Sequence, residues 1–180
     1  MNPLNNARKV RKANGSTLLE LPVSLWMVFV VFMMPMIALS SITMRATLMM
    51  VAVQDAVQGA AKAKSFTTSG ADGLSAKDIA TARFANFLSN FAGLQASAID
   101  LDIVQTTIVS GQIQRFRDQL PSPSDTNFFM YQIEGKTTAS IDPIFPANEQ
   151  IFGRVAGLTT PIQITLSARQ MAENAQGLNR

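Results

Sequence analysis

The chain has 180 residues, 47 % of them hydrophobic, with 15 Lys and Arg against 12 Asp and Glu, a net charge of +3, and neither histidine nor cysteine. Those two absences remove the commonest general base, the thiol nucleophile, the usual zinc ligands and any disulfide framework, and no G-x-S-x-G elbow, phosphate loop or G-x-G-x-x-G fingerprint is present, so no enzyme and no cofactor is expected. Arg8, Lys9, Arg11 and Lys12 carry four of the positive charges; without them the net charge is 3 − 4 = −1, no basic stripe remains for phosphates, and nucleic acid is excluded as a partner.

The first element is a long apolar run. Between Glu20 and Arg45 lie 24 residues without a charge, and about 20 apolar residues suffice for a helix to cross the ~30 Å hydrocarbon core, making membrane lipid a partner. The basic cluster Arg8, Lys9, Arg11 and Lys12 just before it is a topology signal: it holds the N-terminus in the cytoplasm and sends residues from about 50 onward to the far side. A cleaved secretory signal would share that cluster, with Ala38-Leu39-Ser40 imitating its cleavage site, but its apolar core is usually shorter, about 7 to 15 residues. An uncleaved signal anchor uses the same span and gives no role to Gly15 or Glu20. Locally, Asn14-Gly15 favours a turn and Thr17-Leu18-Leu19-Glu20 fits a T-x-x-E capping box, so Glu20 is also readable as a helix-start residue. Pro22 suits the early turns, whereas Pro35 removes a donor within the span and should bend or loosen the helix.

Helical periodicity continues through RATLMMVAVQDAVQGAAKAK, residues 45–64. Met49, Val53, Ala56, Val57, Ala60 and Ala61 recur at three- and four-residue spacing, with Gln54, Asp55, Gln58 and Lys62 opposite. A helix over residues 16 to 64 would rise about 70 Å, so its first half anchors and its second half is a spine for an outer domain. After the turn-rich TTSGADGLS, residues 67–75, Ser75-Ala76-Lys77-Asp78 offers a second capping-box start. Ala80, Phe84, Phe87, Leu88 and Phe91 then line one helical face up to Gly93, a spacing that reads as core rather than as a ligand box.

Beyond Gly93 the period changes to two. Ile99, Leu101 and Ile103 alternate with Asp100 and Asp102; Phe129, Tyr131 and Ile133 with Met130 and Gln132; Ile162, Ile164 and Leu166 with Gln163 and Thr165. Three strands are expected, separated by Ser110-Gly111 and by the PSPSD stretch at 121–125, in an antiparallel sheet laid over the spine. Asp100 and Asp102 read as a solvated strand face rather than as calcium ligands, and no metal site is expected. The expected fold is α+β: a long N-terminal helix, transmembrane in its first half, with a second helix and a small antiparallel sheet.

The leader ending RKANG, followed by STLLE and the apolar run, resembles the class III signal of type IV pilin-like proteins. Across most of the chain, RKANGSTLLELP, QDAVQGAAKAKSF and LTTPIQITLSARQMAEN with its helix-like acid Glu173 resemble the TadE-like pseudopilins of tight-adherence, or Flp-pilus, systems. The chain departs from that pattern at Pro22, which follows Glu20 by two residues where relatives often place proline farther on. The resemblance implies cleavage by a prepilin peptidase between Gly15 and Ser16, removing residues 1–15 as a cytoplasmic leader. Residues 16–44 then form the transmembrane helix and 45–180 the extracytoplasmic domain. It also implies a minor pilin or pseudopilin that works with other pilin subunits and an inner-membrane assembly platform. Glu20, as the fifth mature residue, is implied to pair with the free Ser16 amine of a neighbouring subunit.

Overall fold

The computed structural model of the chain describes residues 16–69, 73–91, 94–121, 124–143, 153–157 and 159–180. In order they form helix α1 (Ser16–Val28), a π-helical turn (Phe29–Met33), helix α2 (Met34–Ala61) and helix α3 (Ala76–Ser89). Strands β1 (Leu94–Ala96), β2 (Asp100–Thr107), β3 (Ile113–Phe116), β4 (Phe129–Ile141) and β5 (Ile162–Met171) follow, and a 3-10 turn (Ala175–Asn179) closes the chain. The fold is α+β, helices first and an antiparallel sheet after them, as the change of hydrophobic period requires.

Two compact units divide the chain, one ending at Ile37 and the other Ala38–Arg180. In the first, Pro22 lies inside α1, and the backbone N–H of Met34 donates to the Phe29 carbonyl, five residues back instead of four. Pro35 supplies the cause: it has no N–H, and its ring crowds the carbonyl four residues earlier, a clash that a widened turn relieves. The proline thus loosens the helix without ending it, as its missing donor leads one to expect.

In the second unit α2 lays one stripe against the sheet. Met49, Val53, Ala56, Val57, Ala60 and Ala61 are all buried, while Gln54, Gln58 and Lys62 are exposed. The stripe starts earlier than Arg45, at buried Ala38, with Ile42 and Arg45 partly covered between. Helical geometry ends at Ala61 rather than Lys64 because the last carbonyls are taken elsewhere: the N–H groups of Lys62 and Ala63 turn back to Gly59 and Ala60, and Glu173 N–H donates to the Ala61 carbonyl at 2.9 Å. Close approach of sheet to helix depends on Gly135 of β4, where a Cβ would collide with Val57 and press on Ile99 and Leu101.

Helix α3 begins as the capping pattern requires. Ser75 Oγ accepts from Asp78 N–H at 3.2 Å and donates to the Asp78 carboxylate at 2.7 Å. Hydrogen bonds from Ser69 and then Ser75 hold that carboxyl below its usual value. Ala76, Ala80 and Phe84 enter the core, so the phenylalanine face is packing. Phe91 lies past the helix end, partly exposed and stacked on Phe87 at 4.9 Å; Gly93 is outside the described residues.

Strand β4 organises the sheet. One of its edges pairs with β5 over all ten residues of that strand, and the other pairs with β2 at residues 129–136 and with β1 at residues 139–141; β3 pairs with β2. The three expected strands are β2, β4 and β5, while β1 and β3 are additional. Leu101, Ile103, Tyr131, Ile133, Ala139 and Ile141 are buried, as period two predicts for a face turned toward the helices. The acidic ending near Glu173 is not helical: Glu173 follows β5, and the 3-10 turn begins two residues later. That turn buries Leu178, whose carbonyl accepts from Leu120 N–H at 3.0 Å, and brings the Arg180 carbonyl to Phe66 N–H at 2.9 Å.

Candidate functional site

The sequence concentrates its functional signals at the N-terminus. Arg8, Lys9, Arg11, Lys12 and Gly15 lie outside the described residues. Helix α1 is described from Ser16 onward, and Glu20 lies within it. Thr17 is therefore already helical. An N-cap residue must carry non-helical backbone angles, so Thr17, itself helical, is not the N-cap that the box drawn on Thr17 and Glu20 requires.

Downstream of Glu20, residues Leu21–Ala61 form one helix long and apolar enough to cross a membrane, with a mean hydropathy of 2.2 over its most apolar window. A helix at the core of a soluble protein passes the same length test, but it would be covered. Here only 6 % of that window is buried, and Leu21, Leu25, Trp26, Phe32 and Met36 are 63–68 % exposed. Large apolar side chains exposed around a whole helix have no stable place in water. The helix is consistent with a single-pass membrane anchor.

Where the apolar run ends, polar contacts begin. Thr43 Oγ1 donates to the Leu39 carbonyl at 3.0 Å and Thr47 Oγ1 to the Thr43 carbonyl at 2.9 Å, which satisfies both hydroxyls inside the helix. Arg45, the first charge after the run, donates from Nη1 to the Asp142 carbonyl at 2.8 Å, just past the end of β4. This end of the sheet is thereby tied to the helix one turn after Ile42.

The sheet face away from α2 carries an ionic cluster that no motif announced. Glu134, with a side chain only 4 % exposed, accepts from Arg115 Nε at 3.0 Å, Lys136 Nζ at 3.2 Å, Arg169 Nε at 2.9 Å and Arg169 Nη2 at 2.8 Å. Burial pushes its pKa up, but the hydrogen bonds from Arg115, Arg169 and Lys136 outweigh that and hold it at about 2. Cross-strand register makes the cluster: Arg169 of β5 and Asp102 of β2 stand directly opposite Glu134, and Arg115 stands opposite Val104. Asp102 pairs with Lys136 of β4 at 3.4 Å and Asp100 with Arg117, just past β3, at 3.0 Å, so both aspartates are held in ion pairs. Among the described residues no group of three His, Cys, Asp or Glu could hold a metal ion. The cluster ties β2, β3, β4 and β5 together across the sheet's outer face.

Comparison with known proteins returned nothing similar: no family model matches the chain, and no curated protein and no solved structure matches it.

Proposed function

We propose that the chain is a minor pilin or pseudopilin subunit supporting assembly of a tight-adherence, Flp-type pilus, structural rather than enzymatic, and processed by a prepilin peptidase. The observation that supports this reading is an exposed apolar helix that continues as the packing helix of an α+β domain. In this reading the basic leader stays in the cytoplasm, residues 16–44 cross the inner membrane and the domain lies outside it. The mature Ser16 amine of one subunit meets Glu20 of another among packed helices. A carboxylate at low dielectric is costly unless paired, so the pair selects correct register during assembly. Other pilin subunits, the prepilin peptidase and the inner-membrane platform are the partners.

Glu20→Gln tests the pairing, because it keeps a side-chain acceptor and removes the charge. The variant is expected to insert and to be cut after Gly15, yet to crosslink poorly to partner subunits and to fail in piliation, with Glu20→Asp intermediate. Normal crosslinking and normal pili in Glu20→Gln would defeat the pairing. An uncleaved anchor that binds its partner through the outer domain would be equally indifferent to this substitution.

A further inference from the structure

Strand β5 has one open edge. The other pairs with β4 over all ten residues of β5, but among the described residues no strand or turn pairs with this one. From Ile162 to Ala168 the strand carries no charge. Edges of that length are ordinarily blunted by charge, proline, a bulge or a covering element, because their unpaired N–H and C=O groups are a template for another strand. Helix α2 does not cover this edge: a groove of about 410 Å³ lies between the two, lined by residues that include Met50, Gln54, Gln58, Ala168 and Gln170. At the far side of the sheet β3 is open as well, but it has only four residues, and its Arg115 is turned to Glu134.

Strand direction decides which occupant fits. Arg45 of α2 reaches the Asp142 carbonyl, next to Ile141, which pairs with Ile162 at the start of β5. At the other end the Ala61 carbonyl accepts from Glu173, two residues past β5. Helix and strand therefore run the same way. Joining two copies β5 to β5 in antiparallel would set their α2 helices antiparallel too, whereas copies inserted in one membrane by the same N-terminal signal share one heading. For copies that share a heading, β3 is the matching edge: β4 is antiparallel to β5 and to β2, and β2 to β3, so β3 of one copy runs antiparallel to β5 of the next. We infer that β5 accepts β3 of a second copy of this chain, carrying the antiparallel sheet from subunit to subunit. The inference rests on the assembly reading above, since a contact between two different edges repeats in one direction, as a filament or ring requires.

Charge and backbone donors set the register. Gln163, Thr165 and Ser167 share the outer face with Arg169, opposite Ser140, Thr138 and Lys136, and on β3 that face carries Ile113 and Arg115, opposite Thr106 and Val104. Placing Ile113 opposite Met171 or Arg169 would bring Arg115 directly or diagonally against Arg169, a like-charge contact. Placing it opposite Gln163 would set Arg115 against Pro161, which has no N–H to pair. Ile113 opposite Thr165 or Ser167 avoids both and leaves Gln114 on the inner face beside Ile164 or Leu166, toward the glutamines of the groove. Four paired residues are too few for a stable complex in free solution. The contact forms between chains whose membrane helices already hold them side by side, at high effective concentration.

The absence of cysteine makes the test direct. The full chain, coexpressed with a prepilin peptidase, carries Ile113→Cys together with cysteine at one position from 164 to 167 and is oxidised in its native membrane. Thr165→Cys or Ser167→Cys combined with Ile113→Cys should give a ladder of dimers and higher multimers. That ladder should be several-fold stronger than with Ile164→Cys or Leu166→Cys, whose side chains point to the opposite face, and each single variant should stay monomeric. No ladder from chains that begin at Ser16 overturns the edge contact and leaves the pilin reading standing. Equal ladders at all four positions overturn strand pairing, and a dimer from Thr165→Cys alone overturns the assignment to β3 by showing β5 against itself. A ladder of period two from chains that keep Met1 upholds the contact and overturns the processing.

Discussion

Replacing Glu134 by Gln isolates the one buried carboxylate of the outer sheet face. The carboxyl titrates at about 2 in the folded chain against an ordinary value of 4.5. At ~1.4 kcal/mol per pH unit that difference corresponds to about 3–4 kcal/mol of stability. A carboxyl whose folded pKa is depressed contributes fully above its unfolded pKa, and the contribution disappears as pH falls from about 4.5 toward 2. Glutamine keeps an acceptor but strands Arg115, Lys136 and Arg169, whose side chains are 49 %, 39 % and 40 % exposed and can turn toward water. The loss should therefore stay near 2 to 3 kcal/mol, below the upper part of the ~3–5 kcal/mol range for breaking a fully buried pair. At roughly 2–4 °C per kcal/mol for a domain of this size, the melting temperature should drop by about 5–10 °C. Far-UV circular dichroism of the full chain in detergent, melted at pH 7 and at steps down to pH 2, reads both quantities. Wild type and variant should differ most at neutral pH and converge as the solution is acidified. Equal melting temperatures at pH 7, or a gap unchanged by acid, would refute the reasoning.

Gly135→Val should cost about 1–3 kcal/mol by overpacking against Val57, Ile99 and Leu101, and chemical denaturation of the reconstituted chain measures it. Gly59→Ala is the contrasting case: the atoms nearest its new methyl belong to the flexible Arg83 side chain, whose pairing with Asp55 is half-exposed and worth less than about 1 kcal/mol, so stability should hardly change. A reporter inserted at Gly111, in the exposed turn between β2 and β3, should be active only as an extracytoplasmic reporter. Cytoplasmic activity there would contradict the outward orientation proposed from the basic leader.

Much of the architecture was legible because helix and strand periods are strong where one face is buried. The spacing of Met49, Val53, Ala56 and Val57 identified the packing stripe, and Leu101, Ile103, Tyr131 and Ile133 marked the inner face of the sheet. β3 gave no such signal: Ile113, Gln114 and Arg115 are all exposed, only Phe116 is partly covered, and the strand is held by backbone pairing to β2 and by the Arg115–Glu134 ion pair. β4 reads as ending early because Gly135 interrupts the apolar alternation, although a glycine is what lets Val57 approach there. The Glu134 cluster brings together residues 115, 134, 136 and 169, and only strand register makes them neighbours. The 3-10 turn that buries Leu178 was invisible for a similar reason, since its partners Lys64, Phe66 and Leu120 are distant in sequence. At the N-terminus the motif named the residues, but Thr17 lies inside helix α1, which removes the local capping account.

The start of the mature chain tests the proposed function most directly. N-terminal sequencing and intact mass of membrane-extracted protein should find a chain beginning at Ser16 when a prepilin peptidase is present, and Gly15→Leu should retain residues 1–15, because a bulky side chain blocks the close backbone access that glycine allows. A chain that keeps Met1 would contradict the pilin-like account in favour of a plain anchor, and a soluble chain beginning near Ser41 would replace both with a cleaved secretory signal.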